Sequence, residues 1–306
     1  MAGGEGGVVL SGARLVWRRQ RVLWWIYGVN LLLGLFATVP VASRLGSVLN
    51  RSLAAERLVE GFDLTAYIEL VAHPSAPLAG GEVGSLFFSL VFFVFMLFVT
   101  GGLLEVYRRD QTLSPGEFFQ ACGSYFWRFV RLLIFLVIVL IVVGIGAGLV
   151  GAGLDRLAED SPREKLGFWL DVGGGLVLLL VLMTVRLWFD MAQVRAVAEE
   201  ERKMRRTFLR AFKLTFGNFP SLFWLYLRIS VVFWVGLAAI LWVWLRVPPQ
   251  AIGLSFLLGQ AAVVLWVGTR LWQRASETLW YQRCYPVPAA VPVAEPSPAE
   301  PSPVSS

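Results

Sequence analysis

The sequence predicts an all-α fold, a polytopic integral membrane helical bundle of six transmembrane helices with amphipathic interfacial helices. Three observations carry this: six apolar stretches of membrane-crossing length, Lys and Arg gathered at alternate connections, and a composition outside the soluble range. Hydrophobic residues make up 57% of the 306 positions and charged residues only 16%, where a soluble domain carries roughly 25% charged. The 13 Trp suit a chain that anchors many helix ends at two membrane interfaces. The net charge of +6 does not imply nucleic acid, because the cations flank apolar segments instead of gathering on one solvent-exposed face. Arg far outnumbers Lys, and Ala, Gly, Val and Leu abound, a bias that points to a GC-rich bacterial genome.

A hydrocarbon core of about 30 Å needs roughly 20 helical residues. Stretches 22–42, 84–104, 132–154, 168–189, 221–245 and 251–271 meet that requirement, within one transmembrane domain over 1–285. Cytoplasmic connections carry the excess of Lys and Arg. The N-terminal segment holds Arg14, Arg18, Arg19 and Arg21, and the connection after the second span holds Arg108, Arg109, Arg128 and Arg131. The connection after the fourth span adds Arg195, Arg202, Lys203, Arg205, Arg206, Arg210 and Lys213, with Arg186 at the helix end. With Arg270, Arg274 and Arg283, this side carries 19 cations against seven on the other. The asymmetry predicts a multi-pass protein of the bacterial inner membrane with both termini cytoplasmic.

In chain order, the first span has a rival reading as a cleavable signal peptide, given its basic start, or as a twin-arginine signal at Arg18-Arg19. Its length and its Trp24, Trp25 and Tyr27 anchors favour a retained helix. The external connection after it predicts two short interfacial helices, over 47–60 and 64–71, separated by Gly61-Phe62-Asp63. Ser114-Pro115-Gly116-Glu117 and Ser161-Pro162-Arg163-Glu164 each read as a capping box, with Ser at the N-cap and Glu reaching back from N3. The first predicts a cytoplasmic amphipathic helix that breaks at Gly123, and the second launches the fourth span. Glycines 144, 146, 148, 151 and 153, with 173–175, predict close packing of spans three and four.

Val194, Val197, Met204, Phe208 and Phe212 recur at helical spacing, which predicts an amphipathic helix extending the fourth span or lying on the membrane. Gly217 closes that helix and Asn218 starts the fifth span ahead of Pro220. Pro248-Pro249 forces a tight external turn. Residues 286–306 form a disordered Pro-rich cytoplasmic tail by composition. Cys122 and Cys284 both fall on the cytoplasmic side, so no disulfide is expected. A single histidine, His73, leaves little material for a zinc site or a His-dependent triad. No metal and no cofactor are expected.

Residues 14–27 align without gaps on 213–226. Leu15 meets Leu214, Leu23 meets Leu222, Trp25 meets Trp224 and Tyr27 meets Tyr226. A third copy falls at 121–129. The repeated unit is an amphipathic helix with basic and aromatic residues, feeding an odd-numbered span. The run Asp190-Met191-Ala192-Gln193-Val194-Arg195-Ala196-Val197, then Arg210-Ala211-Phe212-Lys213-Leu214 and the aromatic entry 219–226 cover about a fifth of the chain. In these the chain resembles bacterial six-helix membrane proteins similar to the membrane domain joined to some glycerophosphodiester phosphodiesterases. The hydrolase domain of that family has no counterpart here, so the resemblance carries over no catalytic residue.

Candidate site residues are four. Arg228 lies about 10 Å into the fifth span, where a charge marks a functional position unless it snorkels to the near interface. Arg186 and Asp190 are spaced to form an i, i+4 ion pair at the inner end of span four. Asp171 lies near the outer end of that span, and Gln260 in span six is placed to cross-link helices. Glu199-Glu200-Glu201 beside 202–206 reads as a solvated face. The expectation is a non-enzymatic scaffold, assembly factor or envelope component whose partners are the lipid bilayer and other membrane proteins. The alternative is a small-molecule or lipid permease with a site near Arg228. An enzyme using Glu60, Asp63, Glu69 and Glu82 ranks last, because metal-ligand spacing is absent.

Overall fold

A computed structural model describes residues 5–49, 78–111, 113–159, 164–200, 203–248 and 250–285. Among them are eight helices and no strand. They are α1 (Glu5–Arg18), α2 (Gln20–Leu49), α3 (Leu78–Arg109), α4 (Pro115–Glu159), α5 (Glu164–Ala198), α6 (Met204–Gly217), α7 (Phe219–Trp244) and α8 (Ile252–Cys284). Six of these, α2, α3, α4, α5, α7 and α8, are long and apolar enough to cross a membrane. The chain is a multi-pass all-α membrane protein. Of the loop helices predicted over 47–60 and 64–71, residues 47–49 are the end of α2 and the rest lies outside the described residues, as do Ser161-Pro162-Arg163 of the second capping box and the tail.

The helices outrun the apolar stretches furthest at the end that carries most of the cations, where Gly7 near the start of the described chain comes close to Arg283 near its end. There α4 begins at Pro115, α5 continues to Ala198 and α8 to Cys284. That basic end holds the core. Phe129, Leu132, Leu187, Met191, Ala192, Ala211, Leu222 and Ala275 are fully enclosed, and Leu104, Ile26 and Tyr107 nearly so. The opposite halves of the spans keep their apolar side chains outward: Ile141, Val142 and Leu149 on α4, Val177 and Leu179 on α5, Trp234 and Val235 on α7. Lipid tails are as apolar as Leu, so these faces gain little from packing on each other. The packed residues lie in the inner ends of the spans (Ile26, Leu104, Leu132, Leu187, Leu222) and in the segments beyond them (Phe129, Met191, Ala211, Ala275), and it is those outer segments that regain the hydrophobic driving force of water. Val8, Leu15, Val16 and Ile26 contribute to this core.

The first capping box forms as predicted. Ser114 N–H donates to Glu117 Oε2 at 2.8 Å and Glu117 N–H to Ser114 Oγ at 3.3 Å. The predicted break at Gly123 does not occur, since α4 runs unbroken over 45 residues. A mid-helix Gly costs only ~1 kcal/mol, and its neighbours Cys122 and Tyr125 are held in the core. The glycine prediction is also corrected. A Cβ on Gly144, Gly146, Gly148, Gly151 or Gly153 would meet nothing within 4 Å, and of 173–175 only Gly174 approaches Leu154. Close approach falls elsewhere. A Cβ on Gly102 would lie 2.6 Å from Cys122 Sγ, and one on Gly12 would lie 2.2 Å from Ser276 Oγ. Glycines mark contacts where the helices meet in the core, and the Gly-rich stretch of α4 faces outward.

The repeat acquires a structural counterpart. Helices α1 and α6 are each 14 residues long and coincide end to end in the alignment. The chain breaks at Arg19 and at Asn218, aligned positions, with Arg19 N–H donating to Leu15 O and Asn218 N–H to Leu214 O. Leu15 and Leu214 are buried in both units, while Leu10 and Leu209, and Trp17 and Phe216, stay exposed in both. The third copy has no break, because α4 fuses entry helix and span. Asn218 stands at the N-cap of α7, as expected, but its side chain makes no cap bond there. Its Nδ2 donates to Leu214 O at 3.1 Å and so closes α6 instead.

Candidate functional site

Three of the charged side chains that the bundle buries, Asp190, Arg274 and Glu277, converge where α5 meets α8. On α8, Arg270, Gln273, Arg274 and Glu277 recur at i, i+3, i+4 and i+7 and therefore share one face. On α5 that face meets Asp190, which is fully enclosed. Arg274 Nη2 stands 2.8 Å from Asp190 Oδ1, and Arg270 Nη1 stands 3.5 Å from Asp190 Oδ2. Glu277, also fully enclosed, accepts from Gln273 Nε2 at 3.2 Å and lies 4.0 Å from Arg274 Nη1. Two arginines and two acidic side chains thus share a site where an unpaired charge costs several kcal/mol.

Around this centre, further pairs tie the basic ends together. Glu105 of α3, almost wholly enclosed, accepts from Arg108 Nη2 at 2.7 Å and also pairs with Arg109. Arg108 extends to Glu200 at 3.1 Å, and its carbonyl accepts from Gln282 of α8 at 2.9 Å. Tyr281 of α8 donates to Glu199 Oε1 at 2.6 Å, and Glu199 pairs with Arg195. Each even-numbered span therefore ends in an enclosed acid, Glu105, Asp190 or Glu277, with arginine beside it.

Beside the Asp190 cluster, a lateral cavity of about 190 Å³ opens between α5, α7 and α8. Arg186, Arg270, Gln273, Ser230 and Thr269 supply its polar lining, and Phe233, Trp234 and Trp266 its apolar walls. The Arg186 guanidinium lies over the Tyr226 ring, 5.6 Å from its centroid, a cation–π arrangement. The polar groups of this lining are mostly donors, and the arrangement can hold a small anionic group.

Of the four residues singled out from sequence, the fold brings together Arg186 and Asp190. The ion pair expected between them is replaced, since Asp190 takes both of its partners from α8. Arg228 is exposed on α7, outside the lining of the lateral cavity, while Leu222, Leu225 and Ile229 form the buried face of that helix. Asp171 is exposed, about 28 Å from Asp190 along α5 at 1.5 Å per residue. Gln260 does cross-link helices, accepting from Tyr27 OH of α2 at 3.1 Å. Sequence reasoning counted Arg270 and Arg274 only as topology markers and passed over Glu277. Their heptad-like spacing was the available signal. Among the described residues no group of three or more His, Cys, Asp or Glu is placed to hold a metal ion. No family model matches the chain, and neither a curated protein nor a solved structure matches it.

Proposed function

We propose that the chain is a non-enzymatic scaffold or assembly component of a bacterial inner membrane, with both termini in the cytoplasm. The observation that carries this reading is that the enclosed carboxylates are matched by arginines, Asp190 by Arg274 and Arg270 and Glu105 by Arg108 and Arg109. The Asp190 pairs fix α5 against α8, and Arg108, held by Glu105, links α3 to the same end through Glu200 and Gln282. They are not poised as free acids, bases or nucleophiles. The crowding of cations at the end with both termini supports the orientation. Purified protein in liposomes is expected neither to turn over a phospholipid or phosphoester nor to carry solute flux. Turnover or flux that disappears on substitution of one buried charge would overturn the proposal.

The lateral cavity favours a second reading, a permease for a small anion or an anionic lipid, with its site at Arg186 and Arg270 instead of Arg228. Under that reading Arg186→Gln abolishes uptake into proteoliposomes while Arg228→Gln leaves it intact. Equal flux in both variants would exclude it.

A further inference from the structure

We propose that the cleft between α4 and the first turn of α6 binds an anionic phospholipid. Its phosphate is held by Arg131, Lys203, Arg205 and Arg206, and an acyl chain lies along Ile134 and Leu209. The cleft encloses about 650 Å³ and is lined by these six residues with Phe135 and Met204. Four cations from two helices face one space, and none of the four has an acidic partner among the described residues. This differs from the α5–α8 contact, where the buried arginines are matched. Like charges gathered in one space repel one another, and a bound phosphodiester relieves that repulsion through charge-assisted hydrogen bonds.

Depth and shape select a lipid over a free anion. Arg131 immediately precedes the apolar stretch beginning at Leu132, so it stands at the membrane boundary. Leu209, Phe212 and Phe216 form an exposed apolar stripe on α6, the signature of a helix lying in the interface plane. Ile134 and Leu209, both exposed, continue the cleft toward the acyl region. Its floor is held firmly: Phe135 stacks on Phe208 at 5.4 Å, Phe208 on Trp188 at 4.1 Å, and Trp188 Nε1 donates to Phe208 O at 2.9 Å. Lys203 at the N-cap of α6 forms no side-chain cap bond, so the positive end of the helix dipole adds to the field. A zwitterionic headgroup would bring an ammonium into four cations with no carboxylate among the cleft-lining residues to receive it.

The test uses the purified full-length protein in phosphatidylcholine nanodiscs, with phosphatidylglycerol titrated in and bound lipid read by native mass spectrometry. One phosphatidylglycerol per chain is expected to be retained selectively. Removing two of the four cations in Arg131→Gln/Arg205→Gln should weaken retention about tenfold or more. Leu209→Glu, at an exposed position that leaves the core intact, should weaken it as well and decides the matter if the double variant fails to fold. Arg14→Gln/Arg21→Gln, which removes two exposed cations elsewhere at the same end, should retain lipid as wild type does. Unchanged retention in the cleft variants overturns the proposal. So does displacement of the lipid by millimolar inorganic phosphate, which would assign the cleft to a free anion.

Discussion

Asp190 shows how much one residue decides. Its carboxylate is the shared partner of Arg270 and Arg274 inside an enclosed site, so Asp190→Asn keeps the shape and strands two guanidiniums. Breaking a buried pair in this way costs ~3–5 kcal/mol, and thermal unfolding in detergent should register a large loss. Asp171→Asn, at an exposed position, should stay within about 0.5 kcal/mol of wild type. Comparable losses in both would mean that the α5–α8 cluster does not lock the fold. The glycines offer the same contrast. Gly102→Ala would drive a methyl to 2.6 Å from Cys122 Sγ and 2.8 Å from Phe118, an overpacking cost of ~1–3 kcal/mol. Gly146→Ala meets open space and should be neutral or stabilising by up to ~1 kcal/mol through helix propensity.

At the scale of elements, α6 is defined by three faces that its sequence spaces at helical intervals. Met204, Thr207, Phe208, Ala211, Leu214 and Thr215 are buried, Leu209, Phe212 and Phe216 are exposed and apolar, and Arg206, Arg210 and Lys213 form a basic flank. Its attachment depends on Trp188, which stacks on Phe208 and donates to its carbonyl. Trp188→Ala removes both contacts, an effect on the order of 3 kcal/mol. Limited proteolysis should then cut more rapidly between α5 and α6, and an unchanged cleavage rate would show that α6 is held by its other contacts. The amphipathic period made α6 legible from sequence. The helix break in α1–α2 was legible only through its alignment with 213–226, because Arg19 is neither a helix breaker nor a cap.

For the whole molecule, six membrane-crossing helices among the described residues bring Gly7 and Arg283, near the two ends of the described chain, to one end, a count that thiol labelling checks. Cys284 is exposed and Cys122 buried, so a membrane-impermeant maleimide should modify Cys284 from the side of the termini and spare Cys122. With Cys284 replaced by Ser, a Cys introduced at Asp171 should react only from the opposite side. Labelling of both positions from one side would contradict the six-span arrangement. Removing the first span would take Ile26 from the core together with the α2 contact at Gln260.

Sequence by itself determined the class, the number of spans and where most helices run, because membrane length, hydropathy and capping chemistry are local properties read residue by residue. It located Arg186 and Asp190 but paired them with each other, since an i, i+4 spacing is visible in one helix and a partner on another helix is not. Only the tertiary structure decided that Asp190 answers to Arg274 and Arg270, that Arg228 stays outside the lateral cavity, and that the core gathers at the basic end of the bundle. The physical reason is that lipid gives apolar faces no incentive to meet. Which residues become core therefore depends on where helices distant in sequence meet, which no single stretch displays.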